Sequence, residues 1–335
     1  MPGSSYGKLF KITTFGESHG VGLGVVIEGV PPRLPLDEGV IQLALNRRRP
    51  GQSAMTTPRD ESDQVEILSG VFEGQTTGAP IAMMIRNANQ QSKDYSSLQE
   101  VFRPGHADYT FFKKYGIRDH RGGGRSSGRE TLARVAAGAV ARVFLKTLGI
   151  SVTGYTLSVG SIKATHIDLD SIESNPLRCP DPIKAKEMIA LVEEAKSKGD
   201  SVGGVIEAIV QGCPVGLGDP VFDKLDAKLA HGLMSIGTVK GIEFGLGFAA
   251  TELKGSQHND AFYMEGDTVR TQTNHAGGIL GGISNGEDIV LRVAIKPVSS
   301  IALPQQTVTK ANQATDIEVH GRHDPCICPR AVPVV

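Results

Sequence analysis

The stretch Arg121–Glu130, RGGGRSSGRE, constrains the fold more than any other: three glycines in a row, three arginines spaced four apart, then an unbroken helical pattern to Gly149. Consecutive glycines can take positive φ, so their N–H groups can converge on an anion. Ser126, Ser127 and Gly128 then lead into a helix start, where partial positive charge collects. Arg129 and Arg134 stand near that start, where a cation disfavours the helix by a few tenths of a kcal/mol up to about 1 unless an anion is present. The segment is therefore predicted to cradle a phosphate or carboxylate, with a solvated glycine turn as the plain alternative. No G-K-[ST] follows and no G-x-G-x-x-G succeeds a strand, so neither common nucleotide loop applies.

Glycine is plentiful along the whole chain, 41 of 335 residues, while tryptophan is absent and aromatics are 5%. Such a core must be built from Val, Ile, Leu and Ala, with many special backbone positions. Strand-like runs occur at GLGVVIEGV, DQVEILSGVF, PIAMMIRN, GGVIEAIVQG and EDIVLRVAIKP. Helical periodicity is clearest in LDEGVIQLALNRRR, in RETLARVAAGAVARVFLKTLG, in DPIKAKEMIALVEEAKSKG and in DPVFDKLDAKLAHGLMS. Interleaved strands and helices predict a layered architecture, α/β or α+β, and no repeat or linker divides residues 1–335 into more than one domain. No run approaches the roughly 18 apolar residues of a membrane span. The N-terminus lacks the order of a secretory signal, so a cytoplasmic protein is expected. A net charge of −1 gives no general attraction to nucleic acid. Cys179, Cys213, Cys326 and Cys328 read as reduced thiols, and no metal is expected.

Three further basic groups sit on turns. They are Arg47–Arg49 in NRRRPG, Arg103 with His106 in FRPGHADYT, and Arg322, His323 and Asp324 in GRHDP. Four arginine clusters on glycine or proline turns suggest a ligand with several negative groups. His19 in TTFGESHG lies beside Ser18, and His275 precedes two glycine pairs in NHAGGILGGIS. A lone histidine is more often structural, but His19 and His106 on stiff glycine turns beside arginines point to proton chemistry. Without a G-x-S-x-G elbow, the Ser18–His19 pair does not suggest a hydrolase.

Taken in order and at their spacings, TTFGESHG, RPGHADYT, RGGGRSSGRETLARVAAGAVAR, TNHAGGILGGISNG and GRHDPCICPRAVPV closely resemble chorismate synthase. The resemblance implies a compact α+β fold, a layered β-α-β sandwich distinct from Rossmann and TIM flavoproteins, usually assembled as a homotetramer. It implies a lyase that removes phosphate from 5-enolpyruvylshikimate 3-phosphate by anti-1,4-elimination, giving chorismate, with reduced FMN required. By motif, His19 would meet the leaving phosphate, His106 would protonate or hydrogen-bond the flavin, and Asp324 would help remove the C6 proton. Ser18, Arg48, Arg103, Arg129, Arg134 and Arg322 would line the substrate pocket. Flavin contacts would come from Arg125, Ser126, Ser127, Gly237, Thr238, Gly281 and Arg322, and from Lys296, Pro297, Val298, Ser299 and Ser300. Flavin would be reduced by the protein's own NADPH-dependent activity or by an external flavin reductase with NADPH as indirect reductant; 335 residues without a reductase-like insert favour the second.

Two features depart from the family pattern: Ala54 stands where many members carry a basic residue, with Arg59 nearby, and relatives continue into a further helix beyond Val335. A non-catalytic flavin- or anion-binding regulatory protein is the alternative reading. An RNA-binding module fits poorly, for want of interleaved aromatics and a basic pI.

Overall fold

Strict alternation builds the first sheet in the computed structural model, which describes residues 3–53, 55–57, 61–87, 98–319, 321 and 323–335. Its strands are β1 (Ser5–Tyr6), β2 (Lys11–Gly16), β3 (Gly22–Glu28), β4 (Val65–Ser69) and β5 (Ile81–Arg86), in the order β1-β2-β3-β5-β4. Every pairing is antiparallel. Leu23, Val25 and Ile27 stand opposite Ile85, Met83 and Ile81, and all six are fully buried. With a period of two, a one-residue slip would turn all of them to the other face, so burial fixes the register.

Five helices of eight or more residues occur among the described residues: α1 (Glu38–Arg48), α2 (Asp108–Tyr115), α3 (Thr131–Thr147), α4 (Pro182–Ser197) and α5 (Leu225–Met234). The apolar side of α3, including Leu132, Ala136 and Val140, packs with Ile41 and Leu45 of α1 against the first sheet. Caps set two helix starts where the sequence places them. The Asp37 carboxylate accepts the N–H of Val40 at 3.0 Å. The Asp181 carboxylate accepts those of Ile183 and Lys184 at 3.1 and 3.0 Å, just before Pro182.

A second antiparallel sheet holds β6 (Ser151–Val159), β7 (Ile162–Lys163), β8 (Gly204–Gln211), β9 (Val239–Phe244) and β10 (Ile289–Ile295), in the order β9-β10-β8-β6-β7. Leu157, Ile206, Leu291 and Val293 share its core with Met188 and Val192 of α4 and Leu233 of α5. A polar row, Tyr155–Glu207–Arg292–Glu243, runs in register across four strands; Arg292 pairs with Glu243 at 2.9 Å and Glu207 at 3.4 Å. Val334 packs against both cores and joins the helical layer to each sheet. The result is the expected α+β layering, with neither a barrel nor a parallel doubly wound sheet among the described residues.

Three local expectations change. The helix expected over 219–235 forms only at Leu225–Met234. Upstream, Asp219 and Asp223 pair as an isolated bridge, and Phe222 is 92% exposed with no core to bury it. The turn expected at FRPGHADYT runs on into α2. Finally, α3 starts at Thr131 after two short 3₁₀ turns, Gly124–Ser126 and Gly128–Glu130, so the serines do not lead directly into it.

Candidate active site

Between the layers lies a cleft of about 1640 Å³, lined by segments from the N-terminal residues to Val334. Nine Lys or Arg residues border it against six Asp or Glu, an excess of three positive charges in a chain whose net charge is −1. The basic turns therefore converge, as a polyanionic ligand requires. The cleft is also larger than the roughly 300–1,000 Å³ of an ordinary small-ligand pocket, leaving room for two ligands side by side.

The glycine loop forms one wall. Gly122, Gly123 and Gly124 all take positive φ, +64°, +88° and +54°. A Cβ on Gly122 would stand 2.4 Å from Cε1 of His19, and one on Gly123 would stand 2.9 Å from Cε1 of His106. Neither approach is possible for a side chain, so the two residues have no Cβ for a steric as well as a conformational reason. Successive residues of one loop thus back onto the two histidines. His19 is buried, with Nδ1 3.1 Å from Oγ of Ser18. The His106 turn is anchored from across the cleft, where Nζ of Lys296 and Oγ of Ser299 donate to the Gly105 carbonyl at 3.0 and 2.8 Å. Burial lowers the pKa of Lys296.

A chain of buried charges forms the opposite wall. Arg48, in the last turn of α1, donates to the Gly128 carbonyl at 2.8 Å and to Thr131 at 3.1 Å, and pairs with Asp63 at 3.4 Å. Asp63 also takes Arg129 at 3.0 Å, and Glu61 takes the same Arg129 at 2.7 Å. Nη2 of Arg129 is buried with no hydrogen-bond partner among the described residues, as is Nε of Arg134. Burial pushes the pKa of Arg48 down to about 9, and nearby Arg330 adds to the effect. Arg330 in turn pairs with Asp324 at 2.6 Å and donates to the Arg48 carbonyl at 3.2 Å, while the N–H of Thr57 donates to Asp324 at 2.9 Å. Desolvated, incompletely satisfied guanidinium groups bordering the cleft favour an anion beside them.

Most residues expected at the site line this cleft: Arg48, Arg103, His106, Arg125, Ser126, Ser127, Arg129, Arg134, Gly237, Thr238, Lys296, Val298, Ser299, Ser300 and Asp324. Arg125 reaches towards the first sheet and donates to Oγ1 of Thr14 at 2.8 Å. Arg134 donates to Oγ of Ser235 and the Gly232 carbonyl at 3.0 and 3.2 Å. Ser18 and His19 stand behind Gly122, outside the lining itself. Pro297 is also outside it, and Gly281 sits in the turn of a small hairpin, Ile279–Leu280 with Ile283–Ser284, away from the cleft. Arg322, Ala54 and Arg59 lie outside the described residues. Sequence reasoning missed Glu61, Asp63, Asp108 and Arg330. The positive charge expected to weaken the start of α3 is met at Arg129 by Glu61 and Asp63, from an acidic stretch, ESD, that reads as an ordinary loop.

The family model for chorismate synthase matches residues 10–335. The chain belongs to the chorismate synthase family. A chorismate synthase of Bacteroides fragilis (strain YCH46) is 54% identical over 336 residues, covering 99% of this chain and 94% of that protein. One of Synechococcus elongatus is 55% identical over 339 residues, with the same coverage. A solved chorismate synthase crystal structure superposes with a TM-score of 0.76 at 34% identity, covering 98% of this chain and 88% of the other. Four of the five chorismate synthase motifs of this chain contribute residues to a single cleft, and TNHAGGILGGISNG stands apart from it.

Proposed function

We propose that this protein is a carbon–oxygen lyase that converts 5-enolpyruvylshikimate 3-phosphate to chorismate and phosphate, the last step of the shikimate pathway. It would act as one domain in the cytoplasm. The observation that carries the reading is the junction in one cleft of an arginine cluster, His106 and a held aspartate, with His19 directly behind the Gly122 wall. The substrate carries a phosphate and two carboxylates, about minus four at neutral pH. Arg48, Arg103, Arg129 and Arg134, with Arg322 and Ser18, bind those groups. Arg129, whose Nη2 is buried without a partner among the described residues, adds its charge to this set from the cleft edge.

Reduced FMN would be held by residues that border the same cleft, and when bound it would supply electron density to the breaking C–O bond. The cleft has the volume for both, and the Lys296–Ser300 segment, Arg125–Ser127 and Gly237–Thr238 all face it. Gly281 joins this set by motif alone. His19 delivers a proton to the departing phosphate, and its contact with Ser18 orients the ring. The arginines stabilise the negative charge that builds on that phosphate. His106 presents a proton to the flavin side of the cleft. Asp324, fixed by Arg330 and the N–H of Thr57, stays poised near the proton that leaves carbon. NADPH enters only upstream, through a separate flavin reductase.

A homotetramer accounts for Phe248, Phe262 and Met264, which are 82%, 64% and 62% exposed, and for Phe222. Anaerobic mixing of the protein, the substrate and reduced FMN tests the central reading. Chorismate absorbance and equimolar phosphate are expected. Tight binding of both ligands with no phosphate released would instead make this a non-catalytic flavin- and anion-binding protein.

A further inference from the structure

Asp108 opens α2 and is buried at the edge of the cleft, where Arg103 donates to its carboxylate and Arg118 and His106 lie against it. The backbone N–H, Nε and Nη2 of Arg103 donate to it at 3.1, 2.8 and 2.9 Å. Nη1 of Arg118 lies 3.4 Å away, and Nδ1 of His106 is 3.1 Å from its Oδ1. The same Nδ1 is 3.2 Å from Nη2 of Arg103. These two contacts make opposite demands. A guanidinium only donates, so it suits a bare Nδ1, whereas a carboxylate only accepts, so it suits Nδ1–H.

The competition has a physical winner. Nη2 of Arg103 already donates to Oδ1 of Asp108, and a hydrogen bond to an ionised carboxylate is roughly twice as strong as a neutral one. Burial opposes the charge on Asp108, but hydrogen bonds from Arg103 and His106 outweigh it and hold the carboxyl well below the usual range. We infer that Asp108 is the positioning residue of His106: it keeps a proton on Nδ1, so that Nε2, on the edge beside Gly123, is the atom that gains and loses a proton. This rests on the proposed role of His106 in proton handling.

The surrounding charges make the carboxylate necessary. Arg103 on the same turn and Arg118 beyond α2 hold positive charge against this carboxylate, and Lys296 anchors the His106 turn from across the cleft. Arg121 and Arg125 on the glycine loop border the same space and are engaged with Asp119 and Thr14. Asp108 is the carboxylate in contact with the ring.

Nitrogen-15 NMR of the histidine rings in the full-length protein reports the tautomer directly. A neutral His106 with its proton on Nδ1 is expected, and a neutral form protonated on Nε2 overturns the inference. In Asp108→Ala the acceptor facing Nδ1 is gone, and the neutral His106 ring should shift towards the form protonated on Nε2. kcat should fall by roughly 10²-fold with KM little changed, and Asp108→Glu should restore part of it. An unchanged His106 tautomer in folded Asp108→Ala also overturns the inference. Should that variant not fold, the tautomer in the unaltered protein decides alone. Near-native turnover in His106→Ala would remove the catalytic reading of His106 while leaving the tautomer result to stand or fall by itself.

Discussion

A single methyl group at Gly122 or Gly123 is enough to disturb this site. Alanine at Gly122 would adopt φ +64° and press its Cβ to 2.4 Å from His19. The left-handed backbone alone costs about 1–2 kcal/mol, and the contact must also displace the ring. We expect Gly122→Ala to lower the urea midpoint and to lose most turnover, whereas Gly128→Ala, with open space around it, should keep both. Equal activity in the two variants would show that the glycine loop tolerates displacement of His19. The glycine spelling of this loop made its positive-φ turn legible, and the turn does line the cleft. Its other task, giving two histidines room, was not, because His19 and His106 lie far from Gly122 and Gly123 along the chain or on a separate turn.

At the scale of elements, the arginine wall depends on a loop that contributes no helix or strand. Asp63 touches both Arg48 and Arg129, and its side chain is fully buried. Replacing it with alanine leaves two desolvated guanidinium groups short of a counter-ion, which we expect to cost about 3–5 kcal/mol in chemical denaturation. A loss under about 1 kcal/mol would mean that Glu61 suffices. Helix α1 was legible down to its Asp37 cap, and its final turn was read as basic. The sequence could not say that Arg47 turns outward to Glu173 at 2.6 Å while Arg48 turns inward. That choice is made by the packing of α1 on α3. The helix expected from Asp219 failed for a related reason, since residues 219–224 have helical spacing but no surface to cover.

Over the whole molecule, buried charge sets how stability responds to ligands and acid. An anion that relieves Arg48 and Arg129 stabilises the folded chain, by about 2.7 kcal/mol at a hundredfold excess over Kd. Phosphate or substrate should therefore raise Tm in calorimetry, with the gain shrinking in high salt. Asp108 and Asp181 are both held below the usual carboxylate range, Asp181 chiefly by the N–H groups of Lys184 and Thr165. A depressed carboxyl contributes stability that is complete above its unfolded pKa, near 4, and lost as pH falls below it. The urea midpoint should accordingly show no change from these groups between pH 7 and 5 and should drop below pH 4. The layered class was readable from interleaved strands and helices, but the pairing of two separate antiparallel sheets was not. β6 escaped notice because Gly154 interrupts it, and that glycine is where the carbonyl of Val332 comes to rest.

Because residues from the first few positions to Val334 all contribute to one seam, no portion of the polypeptide carries a working fragment of it. During renaturation each slab can regain its secondary structure before the last turn closes over both. Catalytic competence should then reappear after the circular dichroism has recovered, and a truncated nascent chain should be inert however well its sheets have formed.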